Sequence, residues 1–141
     1  MTTPFFVYGS LRPDDITKKP WREDWLRDSL SKKGEIKGTM YDDVYASVVL
    51  PKSEDASINV ESTVQGWLVE YSDEIYARKL KEADLIEGYP DFYTREKVLV
   101  SCHDGSLKMA WCYVRPNCSK KTEVIGGDWL LYNLNKNKKT N

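Results

Sequence analysis

The sequence predicts one domain of mixed strands and helices, and three stretches carry that prediction. Phe5-Phe6-Val7-Tyr8 is an unbroken run of bulky and β-branched side chains that stops at Gly9-Ser10, the pattern of a strand buried on both faces. Ser72-Asp73-Glu74-Ile75 is a helix start, with a capping-type serine ahead of two carboxylates at the positive end of the helix dipole. Tyr93 to His103 and Ser106 to Arg115 alternate apolar residues on either side of Asp104-Gly105, a turn-forming pair, and so predict a hairpin. At 141 residues the chain can bury one core but not two independent ones.

In chain order, Gly9 ends the first strand. Lacking a Cβ, it lets the backbone turn sharply and lets another molecule approach. Successive amides from Gly9 to Leu11 then serve either a plain structural turn or an anion nest. Pro13-Asp14-Asp15 is a further turn. From Pro20 to Lys33, Trp21, Trp25 and Leu26 or Ser29 recur at helical spacing, which predicts a helix closed by Gly34 in a left-handed cap. Glu35 to Tyr41 reads as a strand with Ile36, Gly38 and Met40 on one side, and Tyr45 to Leu50 as another, closed by Pro51. Pro51 to Thr63 is small, polar and acidic, hence a loop. Val64 to Tyr71 is again a strand, with Gly66 marking a bulge or a close contact.

The helix from Ser72 runs to about Ile86 or Glu87, with Tyr76, Leu80, Ala83 and Glu87 on one face and Gly88 as its stop. After the turn Gly88-Tyr89-Pro90-Asp91 comes the hairpin. On it Val98, Val100 and Cys102 point one way, Met109, Trp111 and Tyr113 alternate on the return strand, and Cys102 faces Leu107. Gly126-Gly127-Asp128-Trp129 begins a short helix or docking segment. Residues 1–132 then form the domain, and 133–141 a Lys/Asn-rich tail expected to fray.

Composition narrows the function. With 21 basic and 22 acidic residues the formal charge is -1, so no general field attracts nucleic acid, and stacking of bases on the five Trp and nine Tyr would require a basic patch beside them. The N-terminal residues lack a basic segment followed by a long apolar one, and no run is long enough to cross a bilayer, which predicts a cytoplasmic, soluble protein. Cys102, Cys112 and Cys118 lack CxxC spacing and are expected reduced and partly buried. A single histidine, His103 beside the hairpin turn, excludes His-rich metal sites and reads as a solvated turn residue.

Glu87 breaks a local rule. It is a carboxylate in the last helical turn, where the negative end of the dipole disfavours it by up to about 1 kcal/mol, and it continues the apolar face. Either Arg95 or Lys97 neutralises it or it reaches solvent, or it is an acid held in place for chemistry.

Tyr8-Gly9-Ser10-Leu11, Gly34 with Gly38-Thr39-Met40-Tyr41-Asp42, Gly66, Glu87-Gly88 followed by Tyr93-x-Arg95, and Gly127-Asp128-Trp129 occur in an order that resembles the gamma-glutamylcyclotransferase-like family of AIG2-like proteins and gamma-glutamylamine cyclotransferase, across roughly residues 4 to 131. The resemblance implies an α+β fold: a small mixed β-barrel with flanking helices and a cavity at the end of the first strand. It implies a reaction in which the α-amine of a γ-glutamyl group attacks its own γ-carbonyl, releasing 5-oxoproline and a free amine or amino acid. Glu87 is then the general acid/base, and Tyr8, Gly9, Ser10, Leu11 and Tyr93 contact substrate, with no metal, cofactor, nucleic acid or membrane partner. Arg12-Pro13-Asp14-Asp15-Ile16 departs from the family pattern, as do Tyr45-Ala46-Ser47 and Trp67; none of these touches Glu87 or the Tyr8 turn. The alternative is a non-catalytic module that binds a small carboxylate ligand in the same cavity.

Overall fold

Strand β1, Phe5–Val7, lies between two cores, which is why its sequence is apolar without alternation. In the computed structural model, which describes residues 2–51 and 62–139, Phe6 points into a closed barrel, while Phe5 and Val7 face outward beneath helices. The barrel order is β1-β5-β2-β6-β7, with β2 at Leu30–Lys37, β5 at Thr63–Glu70, β6 at Thr94–Cys102 and β7 at Leu107–Val114. All its pairings are antiparallel except the one that closes it, β1 against β7, where Phe5 lies beside Trp111. A separate two-stranded sheet, β3 (Thr39–Asp43) with β4 (Tyr45–Val49), turns at Val44. The fold is α+β, as expected from the resemblance.

The predicted helix over Pro20 to Lys33 is corrected. Only α1, Arg22–Leu26, forms. Asp28 adopts a left-handed backbone, φ 62°, and Leu30 to Lys33 become the first half of β2, paired along its length with β5. One helical turn of Trp spacing is real, and tertiary pairing overrides the rest. Gly34 is therefore not a cap. It sits where β2 passes between two strands, and a Cβ there would lie 2.9 Å from Val100 Cγ1 and 3.1 Å from the Ser101 carbonyl.

Gly66 is the close contact that the sequence offered as one of two readings, since a Cβ there would collide with the Val7 carbonyl and the Phe6 ring. The strand read over Glu35 to Tyr41 divides at Gly38, where β2 leaves the barrel and β3 begins the second sheet, with Ile36 and Met40 both buried. Most of the loop read from Pro51 to Thr63 lies outside the described residues, and Thr63 itself opens β5.

Helix α2, Asp73–Glu87, begins after Ser72, yet the Ser72 hydroxyl makes no cap hydrogen bond. Its carbonyl instead accepts from the Ile75 amide at 3.2 Å. Gly88 closes the helix in the left-handed conformation, φ 67° and ψ 36°. The β6–β7 hairpin has a three-residue loop, His103-Asp104-Gly105, rather than a two-residue turn. That moves the register by one, so Leu107 faces Ser101 and not Cys102. Ala110, Cys112 and Val114 line the barrel interior, while Trp111 and Tyr113 pack outward toward α2. The three cysteines are free and buried, and His103 is exposed. Helix α3, Trp129–Lys139, continues into the segment read as a fraying tail. Among the described residues no helix is long and apolar enough to cross a membrane.

Candidate active site

Where β1 ends, the chain bends over one mouth of the barrel. The Arg12 amide donates to the Gly9 carbonyl at 3.1 Å, and the Trp25 indole donates to the Leu11 carbonyl at 3.1 Å, so the turn from Gly9 to Arg12 is held from both sides. Among the described residues none accepts a hydrogen bond from the Ser10 or Leu11 amide. Gly9 has no left-handed φ, and a Cβ there would meet only Ala46 Cβ, at 3.7 Å. Of the two reasons the sequence suggested for this glycine, the sharp turn does not require it, and access for another molecule remains.

The last turn of α2 comes to the same mouth. Tyr8, Gly9, Ser10, Leu11, Glu87 and Tyr93 all line one cavity of about 670 Å³. The Tyr93 hydroxyl donates to the Ala46 carbonyl at 2.6 Å, and the Tyr8 hydroxyl donates to the Tyr113 carbonyl. Burial, followed by neighbouring charge that includes Glu87, holds both phenols above their ordinary range, so they stay neutral donors. Burial also pushes the Glu87 carboxyl up to about 7.

Neither cation that the sequence offered to Glu87 is spent on it. Arg95 binds Asp84, with Nε 2.9 Å from Oδ1, and is stacked between the rings of Tyr89 and Trp111 at 4.5 and 4.7 Å. Lys97 lies 5.3 Å from the centre of the Trp111 ring. Asp84 also accepts from the Tyr113 hydroxyl at 2.6 Å, so it takes the charge one turn before Glu87 and ties α2 to β6 and β7. An acid that is half-buried, near neutrality in pKa and open to a cavity can both take and return a proton at pH 7.

Several neighbours were not singled out from sequence. Arg12, 6% exposed, grips both Asp14 oxygens at 2.8 Å and reaches Asp128 Oδ1 at 3.0 Å, which fastens the turn to the start of α3. Asp128 in turn accepts from the Leu131 amide at 3.1 Å. Tyr113 and Trp129 line the cavity, as do Val44, Tyr45 and Phe92 at its rim. Only Asp128-Trp129 carried any signal, through the family-like segment that contains it.

The family described as "Gamma-glutamyl cyclotransferase, AIG2-like" matches residues 5–131. The chain belongs to the AIG2-like gamma-glutamyl cyclotransferase family. A Methanocaldococcus jannaschii protein provisionally named a gamma-glutamylcyclotransferase is 32% identical over 127 residues, covering 90% of this chain and 95% of that one. Among solved structures, YkqA from Bacillus subtilis superposes with a TM-score of 0.69 at 21% identity, covering 98% of this chain, which spans 43% of the Bacillus protein's length. An uncharacterized protein from Pyrococcus horikoshii gives 0.65 at 17% identity, covering 97% of this chain and 98% of that one. A mouse AIG2-like protein gives 0.57 at 16% identity, covering 85% and 81%. These structures share the fold of this family member.

Proposed function

We propose that this chain is a gamma-glutamyl cyclotransferase that converts a γ-glutamyl amide to 5-oxoproline and a free amine or amino acid, with Glu87 as general acid/base. The observation that carries the reading is an acid with a pKa near 7 in the same cavity as the unpartnered amides of the Gly9–Leu11 turn. The α-ammonium of the substrate is not nucleophilic until Glu87 removes a proton. The α-nitrogen then bonds to the carbonyl carbon of the γ-amide, closing a five-membered ring, and the former carbonyl oxygen becomes negative. The Ser10 and Leu11 amides stabilise that oxygen; donors of this kind are worth about 2.7 to 4 kcal/mol each in other acyl-transfer sites. Collapse breaks the bond from the carbonyl carbon to the departing nitrogen, which takes the proton back from Glu87, while the ring nitrogen sheds its second proton and the released amine leaves as the ammonium.

Because attack is intramolecular, holding the glutamyl chain curled supplies part of the roughly 7 to 11 kcal/mol available to well-oriented reactants. Tyr8 and Tyr93, neutral and fixed by their own hydrogen bonds, wall the pocket that keeps Glu87 near neutrality. The test is a panel of γ-glutamyl dipeptides and γ-glutamylamines, followed by 5-oxoproline release, on wild type and Glu87→Gln. The variant is expected to fold and bind but to turn over at least about a hundredfold more slowly, as for a lost general base. Undiminished turnover by the variant, or none by wild type, overturns the assignment.

A further inference from the structure

The cavity has a mouth as well as a floor, and the mouth is built of residues that the reaction does not use. Among the described residues, Ile16, Val44, Tyr45, Leu85, Phe92 and Leu134 are large apolar side chains left 40% or more exposed. They come from five separate segments: the loop after β1, the β3–β4 tip, the end of α2, the loop after it, and α3. Val44, Tyr45, Leu85 and Phe92 line the main cavity; Ile16, Val44 and Leu134 line a side lobe of about 320 Å³ that shares Gly9, Asp15, Thr17, Val44 and Trp129 with it. Single exposed apolar residues are ordinary, but convergence on one opening is not.

The rim is also held in shape. Tyr45 and Phe92 meet edge to face across it, 5.6 Å between ring centres, and the Arg115 guanidinium lies 4.2 Å from the Phe92 ring centre while binding Asp43 and Ser47 of the β3–β4 hairpin. At the hairpin tip Val44, 80% exposed, has φ 67°. A β-branched residue is costly in that left-handed conformation, where glycine or asparagine is at ease, and its side chain contributes little to the core there. Such an outlier fits a side chain kept for what it touches in the opening.

We infer that this collar receives the group on the γ-nitrogen, and that the enzyme selects γ-glutamyl conjugates of apolar or aromatic amines over those of small or cationic ones. The inference rests on the cyclotransferase reading above. If the glutamyl part lies with its γ-carbonyl between Glu87 and the Gly9–Leu11 turn, whatever is attached to its nitrogen leaves through the mouth. The main cavity is much larger than a five-carbon glutamyl group fills, and its volume is in the range that accepts a drug-sized ligand. Burying an apolar leaving group there removes surface from water on both sides, whereas an ammonium would lose hydration against the collar; the acid of the lining other than Glu87, Asp15, already accepts from the Thr17 amide and hydroxyl, and Lys19 adds a positive charge.

The experiment compares kcat/KM for γ-glutamylphenethylamide, γ-glutamylmethylamide and Nε-γ-glutamyl-lysine, measured by 5-oxoproline release, in wild type, Leu85→Ser and Val44→Gly. Wild type is expected to favour the phenethylamide over each of the other two by at least about tenfold, the factor one or two buried methylenes can give. In both variants that ratio should fall at least about threefold. Leu85 is 83% exposed and glycine takes the Val44 backbone freely, so circular dichroism and melting should show both variants folded. A wild-type ratio near or below one, or a ratio unchanged in both folded variants, overturns the collar alone. No 5-oxoproline from any of the three overturns the collar together with the cyclotransferase reading.

Discussion

Glu87 is written into the helix against both local preferences, and its cost has a definite pH signature. Burial raises its carboxyl from the ordinary 4.5 to about 7. Between those values the native state keeps a proton that the unfolded chain has released. The associated stability is therefore complete below the lower value and is lost as pH rises through the upper one. Glutamine carries no such loss. The stability gap between Glu87→Gln and wild type should move in the variant's favour by about 1–3 kcal/mol from pH 4.5 to pH 8, a range that discounts the full shift because the residue is partly exposed. Urea midpoints at several pH values measure it, and a gap flat with pH contradicts the burial of this group. In the proposed mechanism the same ionisation governs turnover, since the base must be free of its proton. Wild-type kcat/KM should fall about tenfold per pH unit below pH 7. That limb should move if Tyr8 or Tyr93 is replaced by a side chain that lets water reach the acid.

Strand β1 carries the turn of the site and is flanked by two glycines with opposite physical reasons. At Gly66 on β5, a Cβ would strike the Val7 carbonyl and lie 2.8 Å from Phe6 Cζ, so backbone as well as side chain must move. Gly66→Ala should cost about 1–3 kcal/mol, as overpacking does, seen as a lower urea midpoint at unchanged slope. At Gly9 the same methyl would meet only Ala46 Cβ at 3.7 Å, inside the cavity. Gly9→Ala should therefore leave the midpoint within about 0.5 kcal/mol, as mutations away from strained or packed positions do, while raising KM for a γ-glutamyl amide. Equal destabilisation at the two positions would show that Gly9 is needed for folding rather than for access. Elements of this kind are legible in sequence when their cause is local. The double burial of β1, the stop of α2 at Gly88 and the β6–β7 hairpin all follow from patterns contiguous in the chain. Leu30 to Lys33 were misread because nothing local marks them as strand. Their state is set by β5, more than thirty positions along in the register Leu30 with Glu70 to Lys33 with Trp67.

For the whole molecule, what matters is that the cavity is assembled by closures between distant parts of the chain. The parallel pairing of β1 with β7 brings the Tyr113 carbonyl to the Tyr8 hydroxyl, and Arg12 brings α3 to the turn. Tyr8 to Leu11, Glu87 and Tyr93 were legible because each stands in a short family-like motif, and Glu87 also breaks a helix rule. Arg12 with Asp128 and the apolar collar were not, because their meaning lies only in meeting across the fold. The Arg12 cation makes that dependence measurable. It is buried between Asp14 and Asp128, whose side chains are 30% and 29% exposed. Arg12→Met leaves two carboxylates facing each other without it, which should cost about 2–4 kcal/mol, somewhat below a fully buried pair because both acids retain some solvent. Asp128→Asn keeps the α3 cap through its side-chain oxygen and should cost less. If the two act through one contact, the double variant should fall short of the sum of the singles by about 1–2 kcal/mol. Loosening this clasp frees the turn and Trp129 together, so KM should rise in Arg12→Met, while the pH limb near 7 stays in place because Glu87 belongs to α2. Strict additivity, or a shifted limb, would mean that α3 and the turn are not held by this cation and that the cavity closes by some other contact.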